Sequence, residues 1–100
     1  MNDRKILHNF TCVLGTLPRV EVVKKRYTSG EIALYIEAVF QGHRETVMIA
    51  SAWIPGIPPD CVAIKDFSEN RGCLRELTNA GAIDDPHGYL YGFAICRVLF

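Results

Sequence analysis

One face of the segment from Ile32 to Phe40 is wholly apolar, because hydrophobic residues occupy every second position. Those positions are Ile32, Leu34, Ile36, Ala38 and Phe40. A period of two places alternate side chains on the same face of an extended chain. The pattern therefore predicts a β-strand with its apolar face in the core.

A turn at Gly42-His43 is predicted to join this strand to the next one, which runs from about Arg44 to Trp53. Glycine at the first central position favours a type II′ turn. Pairing outward from such a turn sets Ala38 opposite Val47 and gives the hairpin one almost wholly apolar face. A shift of one residue would break that agreement.

Shorter apolar runs predict the remaining strands. Arg19–Tyr27, Cys61–Lys65 and Tyr89–Phe100 are rich in the residue types that favour strands. Residues 6–14 stay open between two interpretations, because their residue types favour a strand while their apolar spacing also fits a helix. The segment Ile54–Asp60 contains three prolines and is predicted to be an extended loop.

One helix is predicted, from about Ser68 to Ala80, with Gly81 as the left-handed residue that ends it. The apolar face of this helix consists of Cys73, Leu74, Leu77 and Ala80. Spacing of three and four residues puts these side chains on one side of a helix, where they can pack on a sheet.

Several polar residues precede the helix and can cap its first turn. These are Asp66, Ser68, Glu69 and Asn70. Asp66 and Glu69 have the spacing of a capping box, and the other two are alternative N-caps. A polar binding site built from the same side chains is the second interpretation.

Together these elements predict an α+β fold. It is a mainly antiparallel β-sheet of about five to six strands, with the helix at residues 68–80 packed on one face. A chain of 100 residues suits one domain, residues 1–100.

Charge and composition narrow the functional classes. The 11 basic and 11 acidic residues cancel, so no global field attracts nucleic acid or anionic lipid. No apolar stretch approaches the roughly 20 residues that cross a bilayer, and the N-terminus lacks the pattern of an export signal. We therefore expect a cytoplasmic protein that does not bind membranes. In that compartment the four cysteines are expected to be reduced and buried.

A catalytic centre has one weak candidate, the cluster of Asp84, Asp85 and His87. Imidazole and carboxylates can exchange protons or share a cation, but the same residues are typical of a polar turn. The cysteine spacing does not suit zinc, and motifs for phosphate binding, dinucleotide binding and serine nucleophiles are missing. We expect no enzymatic activity, no metal and no cofactor.

Two segments are candidates for binding a macromolecule. The first can contact nucleic-acid phosphates and stack on a base. It consists of Lys24, Lys25, Arg26 and Tyr27, with Arg19 and Arg44 as accessory cations and Tyr35 as an alternative stacking ring. A solvated edge strand, whose lysines prevent pairing with other chains, is the favoured interpretation, because the chain has no net positive charge. The second is the proline-stiffened apolar segment with Trp53, Ile54 and Ile57, which can dock on a protein at a small entropic cost. A homodimer formed by the exposed strand also stays open.

The chain from about Val20 to Leu99 resembles small uncharacterised proteins encoded by bacteriophages, plasmids and conjugative elements. The most specific part of the resemblance is the block Lys65-Asp66-Phe67-Ser68-Glu69-Asn70-Arg71-Gly72. The resemblance implies a mobile-element setting in bacteria and no mechanism. We expect an accessory protein without enzymatic activity that binds and modulates a host or defence protein, as an anti-CRISPR does. The alternatives are a nucleic-acid-binding module and a binder of small ligands or nucleotides.

Overall fold

Eight strands form two antiparallel sheets in the computed structural model, which describes residues 3–100. The strands are β1 (Arg4–Cys12), β2 (Gly15–Arg26), β3 (Ile32–Phe40), β4 (His43–Ile49), β5 (Ser51–Ala52), β6 (Cys61–Ile64), β7 (Gly88–Leu90) and β8 (Phe93–Arg97). The first sheet has the order β1-β2-β3-β4 and the second the order β5-β6-β8-β7. The predicted α+β class is confirmed, with more strands than expected.

The hairpin of β3 and β4 has a different register from the predicted one. Its two central turn residues are Gln41 and Gly42, both with positive φ, as a type I′ turn requires. Phe40 therefore pairs with His43, and Ala38 pairs with Glu45 instead of Val47. A bulge in β4 next to the pair Glu37–Thr46 then restores the apolar alternation, so that Ile36 pairs with Met48.

The predicted strand from Arg44 to Trp53 is two strands that belong to different sheets. Ala50 separates them, and its N–H donates to the carbonyl of Leu34 while its own carbonyl accepts from the N–H of Lys65. The chain thus leaves the first sheet after Ile49 and enters the second at Ser51. Buried residues lie on both sides of Ala50, so the two strands look like one continuous strand in the sequence.

The structure decides one open segment and corrects another. Residues 6–14, open between strand and helix, lie mainly in β1. The predicted strand Tyr89–Phe100 is a hairpin, because Tyr91 and Gly92 both adopt positive φ and reverse the chain between β7 and β8.

The predicted helix is split by Gly72. A 3-10 turn spans Ser68–Asn70, and the α-helix α1 spans Cys73–Asn79. Gly72 has a φ of 91°, a conformation that glycine adopts without steric cost, and this interrupts the helical path. Gly81 ends α1 in the left-handed region as predicted.

The main core lies between the two sheets and α1. Its largest fully buried side chains are Phe10, Leu34, Ile36, Ile64, Leu77 and Ile83. A smaller apolar cluster covers the other face of the second sheet and consists of Ile54, Cys61, Ala63 and Ile95, with Ile57 and Phe93 beside them. All four cysteines are free, three of them buried and Cys12 half-buried. Within residues 3–100 no helix has the length and apolar character to cross a bilayer.

Candidate functional site

The first sheet turns one face to the core and leaves the other without a second layer in the described part of the chain. We call this second surface the open face. Strand alternation and register place on it Arg4, Ile6, Arg19, Glu21, Val23, Lys25, Ala33, Tyr35, Glu37, Arg44 and Ile49. None of these residues belongs to either apolar cluster.

Two glutamates lie side by side at the centre of the open face. Glu21 of β2 and Glu37 of β3 are directly paired across the strands, and they are only 5% and 8% exposed. Like charges in such a pair repel each other, and carboxylates withdrawn from water need compensation by opposite charge. The neighbouring strands supply that compensation.

Arginines from the two outer strands bridge the glutamate pair. Arg4 of β1 places its Nη1 at 3.3 Å from Oε1 of Glu21 and at 3.1 Å from Oε1 of Glu37. Arg44 of β4 reaches in from the opposite side, with its Nη1 at 2.6 Å from Oε1 of Glu21 and 3.8 Å from Oε1 of Glu37. Residues from all four strands therefore build one charge network.

Two further cations approach the same carboxylates at longer distances. Arg19 Nη2 lies 3.7 Å from Oε2 of Glu21, and Lys25 Nζ lies 3.9 Å from Oε2 of Glu37. Lys25 also sits 4.4 Å from the ring centroid of Tyr35, within the range of a cation–π contact. All four cationic side chains of the face are about half exposed. They are therefore in contact with solvent on one side and with the buried carboxylates on the other.

The network changes the acidity of its members. The hydrogen bond from Arg44 lowers the pKa of Glu21 below its ordinary value of 4.5; burial opposes this effect and the charge of Arg4 adds to it. The same hydrogen bond raises the pKa of Arg44. Glu21 is therefore ionised at neutral pH although it is buried.

The lowered pKa of Glu21 predicts a loss of stability in acid. The unfolded chain takes up a proton near pH 4.5, whereas the folded chain does so only at lower pH. The stabilisation is thus complete above about pH 5 and is lost as the pH falls through the folded value. We expect the melting temperature to fall more steeply below pH 5 in the wild type than in Glu21→Gln.

The control is Glu45→Gln, since Glu45 is exposed on β4 and forms no ion pair with the described residues. Its melting temperature should follow the wild-type slope. Equal slopes for Glu21→Gln and the wild type would show that the Glu21 network does not contribute to stability.

The candidate nucleic-acid segment is divided between the two faces of the first sheet. Only Lys25 lies on the open face. Lys24 turns to the other side, where its Nζ donates to the carbonyl oxygen of Phe100 at 2.5 Å. Arg26 donates to the carbonyl of Gly30, and Tyr27 is half-buried. These four residues therefore do not share one face of the sheet, because alternate residues of a strand point to opposite sides. Contact of this segment with nucleic acid stays a prediction.

The apolar candidate surface is also divided. Ile54 is buried in the smaller cluster, whereas Ile57 packs beside it and is only partly buried. Trp53 is half exposed. The proline segment covers the second sheet, which explains why it is apolar.

The four cap candidates have separate roles. Asp66 caps α1, because its Oδ1 accepts from the N–H groups of Gly72 at 3.0 Å and Leu74 at 3.1 Å. Asn70 is buried, and its Nδ2 donates to the carbonyl of Ile49 at 2.8 Å, which fixes the 3-10 turn to the end of β4. Ser68 and Glu69 are exposed and take no part in the capping hydrogen bonds. The predicted capping box is therefore wrong in its second member.

Two of the three residues of the candidate acid–base cluster are in contact. His87 Nε2 lies 2.6 Å from Oδ2 of Asp84, while Oδ1 of Asp84 accepts from the N–H of Arg97 at 2.7 Å. Burial raises the pKa of Asp84, but the hydrogen bonds from His87 and Arg97 outweigh it, and the pKa is lowered overall. Asp85 is exposed and joins neither contact. Among residues 3–100 no three ligand side chains converge in a way that would hold a metal ion.

Two shallow grooves lie away from the centre of the open face. One, of about 320 Å³, separates β1 from α1, and the other, of about 340 Å³, separates β4 from the 3-10 turn. Lys65, Glu69 and Asn70 of the sequence block line the second groove. Two titratable side chains line each groove, His8 and Glu76 in the first and Lys65 and Glu69 in the second.

Comparison with protein-family models, curated proteins and solved structures finds no match. Sequence reasoning named Arg19 and Arg44 as accessory cations, but it missed Arg4, Glu21 and Glu37. The available signal was the polar residues within otherwise apolar strands.

Proposed function

We propose that this protein is an accessory protein without enzymatic activity, which binds and modulates another protein through the open face. The observation that supports the proposal is the set of half-exposed arginines held above two buried carboxylates. Arginine and tyrosine dominate binding energy at protein interfaces. Here they occupy a sheet face that no other described element covers.

Preorganisation strengthens this interpretation. A free arginine loses side-chain entropy when it is fixed in an interface, which weakens binding. Glu21 and Glu37 already hold the side chains of Arg4 and Arg44 in place through ion pairs. Much of the side-chain entropy is therefore lost before a partner binds. Exposed Ile6 and Ile49 flank the charges and supply apolar area.

The resemblance to proteins of mobile elements indicates which kind of partner to expect. A host protein or a component of a bacterial defence system is the partner that such a setting favours. Inhibition of that component, as by an anti-CRISPR, is the form of modulation that we propose.

A capture experiment with matched variants tests the proposal. Immobilised protein is incubated with lysates of several bacterial hosts, and bound proteins are identified by mass spectrometry. The double variant Ile6→Ala/Ile49→Ala should weaken capture about tenfold or more, because it removes apolar area that a bound partner would bury.

The control variant Leu14→Ala/Leu99→Ala makes the same chemical change at exposed leucines outside the open face. Its capture should equal that of the wild type. The proposal is refuted if no lysate yields a specific partner, or if capture depends on the control positions and not on the open face.

A further inference from the structure

We propose that the open face recognises an acidic segment of a protein, whose Asp or Glu carboxylates meet the guanidinium groups of Arg19 and Arg44. This inference rests on the proposed function and adds the chemistry of the partner. It is supported by the charge balance of the face, by the donors that its arginines still offer, and by the apolar residues around them.

The charge balance of the open face is positive. Four cations surround two carboxylates, whereas the complete chain has equal numbers of basic and acidic residues. The excess of two positive charges is therefore local. A complementary partner surface must be negative where it contacts this face.

Arg19 and Arg44 retain hydrogen-bond donors for such a partner. A guanidinium group has five N–H donors arranged in a rigid fork. Arg44 uses Nη1 for its contacts with Glu21 and Glu37, and Arg19 Nη2 at 3.7 Å from Glu21 is beyond hydrogen-bond distance. Both side chains are about half exposed. Each can thus receive a carboxylate in two parallel hydrogen bonds without releasing the buried glutamates.

A protein carboxylate suits the face better than a nucleic-acid backbone does. Nucleic-acid interfaces are strongly positive over a large area, whereas here two carboxylates lie directly beneath the cations. Ile6 and Ile49 would face phosphates without apolar contact, although both are 40% exposed or more. A peptide that combines acidic and apolar side chains would satisfy both kinds of residue.

Selection of peptides from a random displayed library tests the inference with an identified probe. The wild-type protein is immobilised, and the recovered peptides are sequenced and measured by fluorescence anisotropy. We expect enrichment of Asp and Glu. Binding of the selected peptides should fall about tenfold in Arg19→Gln/Lys25→Gln, which removes the excess charge.

We expect this variant to fold, because Arg4 and Arg44 still form ion pairs with the two buried glutamates. Thermal unfolding confirms that the variant is folded. The control Arg71→Gln/Arg75→Gln removes the same charge from exposed positions of the helical segment and should leave binding unchanged.

Three results would overturn the inference. They are the absence of selected peptides, selected peptides without an acidic excess, and binding of single-stranded or duplex DNA more tightly than any selected peptide. If lysate capture depends on Ile6 and Ile49 but acidic peptides fail, the proposed function stands and only the partner chemistry is wrong. If acidic peptides bind but no lysate protein does, the recognition stands without its biological partner.

Discussion

Leu77→Ala is expected to lower the free energy of unfolding by about 2–5 kcal/mol, because it opens a cavity in the centre of the core. Leu77 is completely buried in α1 and belongs to the main apolar cluster. The only α-helix of residues 3–100 has seven residues and buries just Cys73 and Leu77. Its attachment to the sheets therefore depends strongly on this side chain.

Urea unfolding followed by circular dichroism measures the Leu77 effect, with Arg75→Ala as the control on the same helix. Arg75 is exposed, and arginine and alanine have similar helix propensities, so the control should change stability by less than about 0.5 kcal/mol. A loss below about 1 kcal/mol for Leu77→Ala would contradict the central place assigned to Leu77.

Asp66→Ala is expected to reduce stability by about 1–2 kcal/mol. One carboxylate oxygen of Asp66 accepts two N–H groups at the start of α1, those of Gly72 and Leu74. Both amides lack partners within the helix, because the first turn has no preceding carbonyls. Alanine at position 66 would leave these donors to water alone.

Glu69→Ala tests whether Asp66 caps the helix alone or as part of the capping box that the sequence suggests. Glu69 makes no capping contact in the structure, so the change in stability should stay within about 0.5 kcal/mol. Thermal and urea unfolding of the two variants give the comparison. Similar losses for Asp66→Ala and Glu69→Ala would favour the box and contradict the observed cap.

Leu77→Ala and Asp66→Ala lower the stability of the fold and leave the residues of the open face unchanged. Partner capture by Asp66→Ala should therefore match the wild type once the folded fraction is equal. The variants of Ile6 and Ile49 should show the opposite behaviour, since these side chains are exposed and contribute little to the core. Stability and binding can thus be separated experimentally.

Local interactions explain the features that sequence reasoning predicted correctly. The predicted strand Ile32–Phe40 is confirmed. The alternation of apolar residues was a sufficient signal, because it shows which side of the strand faces the core. Gly81 ends α1 as predicted, with the N–H of Ala82 donating to the carbonyl of Leu77 at 3.0 Å. Asp66 accepts hydrogen bonds at the start of α1, but the N–H groups belong to residues six and eight positions further along the chain and not to the predicted capping box.

The hairpin register shows where local information was insufficient. Gln41-Gly42 and Gly42-His43 are neighbouring candidates for the same turn, and glycine satisfies either one. The bulge in β4 makes the first choice compatible with an apolar inner face. Sequence alternation alone does not reveal a bulge, because the extra residue shifts the pattern without changing composition.

The open face is the part that only the tertiary structure determined. Glu21 and Glu37 look like ordinary polar positions of two strands, and Arg4 and Arg44 lie 17 and 23 residues from Glu21 in the chain. Their convergence depends on the pairing of all four strands, which is a non-local property of the sheet. The sequence by itself determined the strand Ile32–Phe40 and the glycine that ends α1, because these follow from contacts between near neighbours. Only the folded chain decided which charges meet, because strand register brings distant residues to one face.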